Sequence, residues 1–182
     1  LSSLALFIVA APKVYEWYVS NLKKGINYAR WMEYSVTSSL MIVVIAMLVG
    51  IYDIASLILV FALNTAMIFF GWMMELHNQT TQKTDWTAFV FGSFAGIVPW
   101  VVVAIYLAGS GGNGGQVPSF VYWIFVSLFL FFNIFALNMV LQYKKIGPWK
   151  NYLFGERVYI VLSLVAKSLL AWQVFFGTLR PM

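Results

Sequence analysis

The sequence predicts an all-α protein, a bundle of hydrophobic helices that spans a membrane. Three observations predict it. Hydrophobic residues make up 62% of the 182 positions and charged residues only 9%, whereas soluble domains carry about a quarter charged residues. The apolar residues fall into six runs, each long enough to cross a ~30 Å hydrocarbon core at ~1.5 Å per residue. Basic residues gather in alternate connections between those runs, the pattern that sets topology in a bilayer.

The runs cover 1–20, 26–51, 54–76, 86–108, 120–143 and 153–179. Each reads as a helix, because a lone strand would leave its backbone groups unpaired in lipid. Pro12 lies inside the first run and predicts a kink there. Asp53 is placed to N-cap the third, Pro99 predicts a kink in the fourth, and Ser119 beside Pro118 opens the fifth. Short connections make consecutive helices antiparallel neighbours. The glycine-rich stretch 109–115 is a flexible uncharged loop and not a phosphate cradle, since no Lys-Ser or Lys-Thr follows it. No internal repeat is evident, and 1–182 reads as a single transmembrane helical domain.

Composition also excludes several functions. With no Cys, disulfides, thiolate chemistry and Cys-ligated metal are ruled out, and a single His77 provides no imidazole cluster for a metal. No nucleophile, base and orienting group fall together, so catalysis is not expected. The net charge of +5 is explained by topology rather than by nucleic acid. Aromatic residues at 19% suit lipid-facing surfaces, interfacial belts or the lining of a bulky apolar pocket.

Orientation follows from the cations. Lys23, Lys24, Arg30, Lys83, Lys144, Lys145, Lys150 and Arg157 lie in or beside the connections after the first, third and fifth runs, while the other side holds only Arg180. The first set is therefore expected in the cytoplasm and the C-terminus outside, in a multi-pass protein of the cell membrane surrounded by lipid. The first run then passes from outside to inside. A chain starting in the cytoplasm would need one more helix ahead of Leu1, giving seven. The opening residues lack the basic start and cleavage pattern of a signal peptide.

The residue that points to chemistry is Lys167, about fourteen residues or ~21 Å along the last run. A charged lysine at that depth costs at least ~2.5–3.5 kcal/mol, so it pairs, neutralises or is covalently modified. Removing an amine from water favours its neutral form, the nucleophile that condenses with an aldehyde. The plain alternative is a lysine paired with a helix carbonyl or a carboxylate for packing alone. Glu33 is the candidate carboxylate, because Lys167 leans back along its helix toward that depth. Arg30 lies one turn before Glu33 and Thr37 one turn after, so a guanidinium, a carboxylate and a hydroxyl share a helix face. An ordinary Arg30–Glu33 interfacial pair is the alternative there. Ser163, one turn before Lys167, either faces the amine or bonds back to its own helix.

Arg30-Trp31-Met32-Glu33-Tyr34-Ser35, Glu75-Leu76-His77-Asn78, and the long run Gly155-Glu156-Arg157-Val158-Tyr159-Ile160-Val161-Leu162-Ser163-Leu164-Val165-Ala166-Lys167-Ser168-Leu169-Leu170-Ala171-Trp172-Gln173 closely resemble the heliorhodopsins. The resemblance covers nearly the whole chain, and its last motif is the most specific. It implies a seven-helix rhodopsin-type bundle with six helices present in this chain. It also implies an inverted topology, in agreement with the cations, and all-trans-retinal on Lys167 as a protonated Schiff base with Glu33 as counterion. Ion-pumping microbial rhodopsins carry a second carboxylate where this chain has Ser163, and pumps reprotonated from the cytoplasm tend to carry one where it has Val44. Both absences argue against proton pumping and leave Glu33 aided by Ser163 and Ser2.

Depth along the helices, together with the resemblance, places Met67, Ile68 and Phe132 around the polyene, with Tyr34 beside the counterion and Gln142 toward the cytoplasmic half. Gly92 and Gly96 would leave room for the ring end. For each of these, lipid-facing or ordinary core packing is the plain alternative, and for Glu75 it is an interfacial structural role. The family often has histidines on its first two helices, whereas His77 lies at the far end of another, which leaves the proton acceptor open. The expected function is photosensory, with isomerisation of retinal driving a helix rearrangement read by a cytoplasmic partner; the resemblance also suggests a homodimer. The rivals are a light-driven or light-gated ion transporter, against which the apolar stretch 40–49 counts, and a non-photoactive membrane scaffold.

Overall fold

A computed structural model describes residues 2–109 and 118–179, and among them the regular structure is entirely helical. The helices are α1 (Ser2–Val9), α2 (Pro12–Lys23), α3 (Tyr28–Leu48), α4 (Ile54–His77), α5 (Thr87–Gly109), α6 (Ser119–Tyr143) and α7 (Tyr152–Leu179), with a short 310 helix, Gly147–Lys150, between the last two. Five of them, α3 to α7, are long and apolar enough to cross a membrane. The glycine-rich stretch beyond Gly109, Leu1 and Arg180 lie outside the described residues.

One expectation is corrected. The single kinked helix expected over 1–20 is two helices, because the chain turns at Ala10 and Pro12 begins α2. A proline in the first helical turn lacks only an N–H that would have no intrahelical partner anyway, so Pro12 opens a helix instead of bending one. Pro99 does lie inside α5. Asp53 caps α4 as expected, accepting from the Ser56 N–H and hydroxyl, both at 2.8 Å. Those bonds, the backbone one first, hold the Asp53 carboxyl below the usual carboxylate range.

Three helices, α2, α3 and α6, end in the same way. Past α2, the Gly25 N–H reaches Leu22 O at 3.0 Å and the Ile26 N–H reaches Asn21 O at 3.1 Å; past α3, Gly50 and Ile51 make the equivalent bonds to Met47 O and Ala46 O. These are Schellman closures, and they need a left-handed residue, which glycine supplies with φ of 75° and 95°. Past α6 the same closure is made by Lys145 and Ile146 onto Gln142 O and Leu141 O, each at 3.2 Å. Lys145 is the one non-glycine residue at positive φ among the described residues, at 53°. That conformation costs an L-residue roughly 1–2 kcal/mol.

The chain divides into two compact units, Leu1–Val103 and Ala104–Met182. In the first, α3 packs along α4, and α1 and α2 pack on α3. Gly71 permits the close approach of α4 to Trp31: a Cβ there would sit 2.7 Å from the Trp31 ring. Deeper along the same seam, Asn64 is buried and donates to the Ser38 hydroxyl at 2.8 Å and the Ser39 hydroxyl at 3.0 Å, while Ser39 shares a bond with Thr65 at 3.0 Å and Thr65 donates to Ser35 O at 3.2 Å. Such networks join helices in lipid, where apolar burial gives no preference for helix over solvent.

The α4–α5 connection is gathered by Asn78. Its amide donates to Met74 O at 2.9 Å and Asp85 O at 3.0 Å, while its carbonyl accepts the Asp85 N–H at 2.7 Å and the Thr81 hydroxyl at 3.1 Å. His77 meets the Asp85 carboxylate at 3.2 Å.

In the second unit α6 packs on α7. The link between them is pinned by Trp149, whose indole N–H donates to the buried Asn138 carbonyl at 2.6 Å, and the Asn138 amide donates in turn to Gly155 O at 3.2 Å. Ser127 and Gln173 bind each other nearer the far end of the two helices, at 3.1 Å.

Candidate functional site

The first unit supplies an acid held by hydroxyls. Glu33, half-buried on α3, accepts from Thr37 one turn on at 2.9 Å and from Ser2 of α1 at 2.5 Å, both on Oε1. The helical spacing predicts the Thr37 contact, and the fold adds Ser2 by packing α1 on α3. Tyr34 follows Glu33 and is also half-buried.

Arg30 is directed elsewhere than the shared face with Glu33 suggests. Its Nη2 meets Glu75 Oε1 at 3.0 Å, and its guanidinium stacks 4.3 Å from the Trp31 ring centre. The other carboxylate oxygen, Oε2, accepts the Asn27 N–H at 3.1 Å and the Trp31 indole N–H. Asn27 meanwhile caps α3 by accepting from the Arg30 N–H at 3.1 Å. All four residues are buried. Glu75 is therefore a buried acid that ties the last turn of α4 to the first turn of α3. A low-dielectric setting makes an unmet charge costly, and the Glu75 carboxylate accepts from three donors.

Met67, half-buried, and Ile68, buried, lie on α4. The space in front of Gly96 holds Met67, and a Cβ on Gly92 would stand 3.0 Å from Phe70 Cβ. These two glycines thus receive α4 side chains where the sequence suggested room for a ring.

The second unit supplies the amine. Lys167 is half-buried on α7 between buried Ala166 and Leu170, with half-buried Ser163 one turn before it. It stands fifteen residues past Tyr152, about 22 Å along the helix. Phe132, half-buried, stands eleven residues before Tyr143 on α6, about 17 Å from the same connection, so it is near the level of Lys167. Gln142 is not. It occupies the last turn of α6, donates to Tyr152 O at 3.3 Å and packs on Gly155, where an added Cβ would lie 2.9 Å from its amide. Its role in the fold is to clasp α6 to the start of α7.

Sequence reasoning missed Asn27, Asn64, Asn138 and Glu156, all buried. Asn64 had a readable signal, a lone amide within an otherwise apolar crossing segment, which calls for an internal partner. Asn138 and Glu156 sit near helix ends, where a polar residue carries no such signal.

What the arrangement can do chemically is hold a primary amine inside a spanning helix and orient a carboxylate by two hydroxyls, each in its own unit. A family model described as Heliorhodopsin matches residues 1–179. No curated protein matches the chain.

Proposed function

Because this chain belongs to the heliorhodopsin family, we propose that it is a photoreceptor that carries its chromophore on Lys167 and answers light with a conformational change rather than with pumped ions. It is a retinal-binding, rhodopsin-type, multi-pass membrane protein. The observation that carries the finer reading is the placement of Lys167, the one lysine within the five membrane-crossing helices.

The residues present fit the group. An aldehyde needs a primary amine for covalent attachment, and a positive charge at mid-membrane needs a fixed anion. Bound retinal supplies visible absorption and an all-trans to 13-cis isomerisation, through a protonated Schiff-base link to the lysine. Glu33 supplies the negative charge, and the Ser2 and Thr37 hydroxyls on its Oε1 fix the carboxylate's direction. Ser163 offers a neutral hydroxyl one turn from the amine, so the anion count stays at one. Tyr34, Met67 and Ile68 of the first unit and Phe132 of the second are the lining residues of this reading, and Arg30 acts through Glu75.

Two observations support sensing over transport. The hydroxyl and amide network of α3 and α4 ends at Ser39 and Asn64, and beyond it α3 is apolar from Leu40 to Val49. Ser163 and Val44 stand where pumps hold carboxylates. The basic connections near Lys23, Lys83 and Lys150 face the cytoplasm and the C-terminus lies outside. A cytoplasmic partner reads the altered face, and two copies pair in the membrane.

The test is the visible spectrum of the full-length protein mixed with all-trans-retinal, beside its Lys167→Ala variant. Colour in the parent and none in the variant is expected. Equal colour in both would reject attachment at Lys167, and a light-driven current in cells carrying the protein would replace sensing with transport.

A further inference from the structure

We propose that the connection between α6 and α7 is a binding surface for anionic phospholipid headgroups, with Lys145 held out to meet the phosphate. The segment 144–157 contains Lys144, Lys145, Lys150 and Arg157, all exposed, while its one acid, Glu156, is buried. The surface it presents therefore carries exposed cations and no exposed acid.

Lys145 is the telling residue. The same helix closure is built three times among the described residues, and at Gly25 and Gly50 the left-handed position is glycine. At the third it is a lysine with φ of 53°. Nothing in the closure itself asks for a side chain there, and strain retained at one site of three points to a use for the cation.

Depth selects the partner. With 25 and 28 residues, α6 and α7 are about 38 and 42 Å long, so both overrun a ~30 Å hydrocarbon core. Their joined ends, and the cations on them, then stand at the level of the headgroups. Exposed Ile146 and Leu153 and half-buried Trp149 flank those cations, a basic and apolar mixture suited to the membrane boundary and less to an acidic soluble protein. The surface is also preshaped, because Trp149 is anchored on Asn138 and Gln142 on Tyr152. Cations on a fixed frame lose little freedom on binding.

Native mass spectrometry of the full-length protein in non-ionic detergent, given equal phosphatidylglycerol and phosphatidylcholine, tests this. The parent should retain phosphatidylglycerol preferentially, and the preference should fall as salt rises. Lys145→Gly should lose roughly fivefold of that preference while its melting midpoint rises by roughly 2–8 °C, since the strain is removed. Those opposite signs separate a lost ligand contact from a damaged fold. Equal retention of both lipids by the parent would overturn the proposal, as would an unchanged preference in Lys145→Gly. Capture of an acidic peptide with no lipid preference would overturn it in favour of a protein partner. None of these readouts depends on the chromophore, so colour loss in Lys167→Ala remains a separate question.

Discussion

Replacing Glu75 by methionine is the sharpest probe of how α3 and α4 are joined. The side chain keeps its length, but Arg30, the Asn27 N–H and the Trp31 indole all lose their acceptor. Removing one partner of a buried ion pair costs about 3–5 kcal/mol, and each stranded N–H adds about 1 kcal/mol or more. Water can reach the end of a spanning helix and recover part of this, so a net loss of about 4 kcal/mol is expected. For a chain of this size that is a fall of roughly 8–16 °C in the melting midpoint, read by the helical circular dichroism of the full-length protein in detergent. The decisive measurement is the cycle with Arg30→Met. The double variant no longer buries a charge, so it should lie about 2 kcal/mol above Glu75→Met, its remaining loss coming from Asn27 and Trp31. If the two single losses simply add, or if Glu75→Met melts within about 2 °C of the parent, the pair does not join the helices as described.

Further outcomes follow from the same geometry. Gly71→Ala should cost about 1–3 kcal/mol, because the Trp31 ring 2.7 Å from the new methyl is held by its own N–H on Glu75 and cannot swing aside; unchanged melting would mean that the ring yields. Asn64→Leu should lose about 1 kcal/mol in detergent melting, the usual scale for an interhelical polar contact in lipid. Hydrogen bonds from Thr87, its hydroxyl first and its N–H second, and then His77 hold the Asp85 carboxyl below the usual carboxylate range. The bonds to the anion therefore persist at neutral pH and fail only as pH falls through that lowered value. Acid-active proteolysis of the 78–86 connection should stay slow through ordinary carboxylate pH and accelerate below it, with no such step in Asp85→Asn; a step near pH ~6.5, where histidines ordinarily titrate, would contradict it. Glu33→Gln should shift the absorption of the retinal-loaded protein to longer wavelength, since excitation moves positive charge away from the amine end and a nearby anion opposes that movement; an unmoved maximum would remove Glu33 as counterion.

The crossing helices were legible because bilayer thickness imposes a length that apolar runs must meet, and the Asp53 cap because its signal is three residues long. The division of 1–20 was not, since a proline in an apolar run reads alike as a kink or as a helix start until the preceding residues are seen to turn. Within the site, Thr37 on Glu33 follows from one helical turn. The Arg30–Glu75 pair, 45 residues apart, depends on two helices lying side by side, and no spacing along one helix announces it. Gln142 shows the same limit in depth: its distance from the helix end is plain in the sequence, yet only the α6–α7 packing shows its amide spent on Tyr152 and Gly155.

The Asn78 side chain joins the two ends of the segment between α4 and α5 by holding both backbone groups of Asp85. With Gln79 reaching Gly25 O and Thr81 held on Asn78 as well, the stretch 82–84 is then an excursion outside a knot already tied. A fluorescent tag or epitope inserted between Gln82 and Lys83 would lengthen the excursion and leave the knot, making this the place to attach a reporter without disturbing either helix.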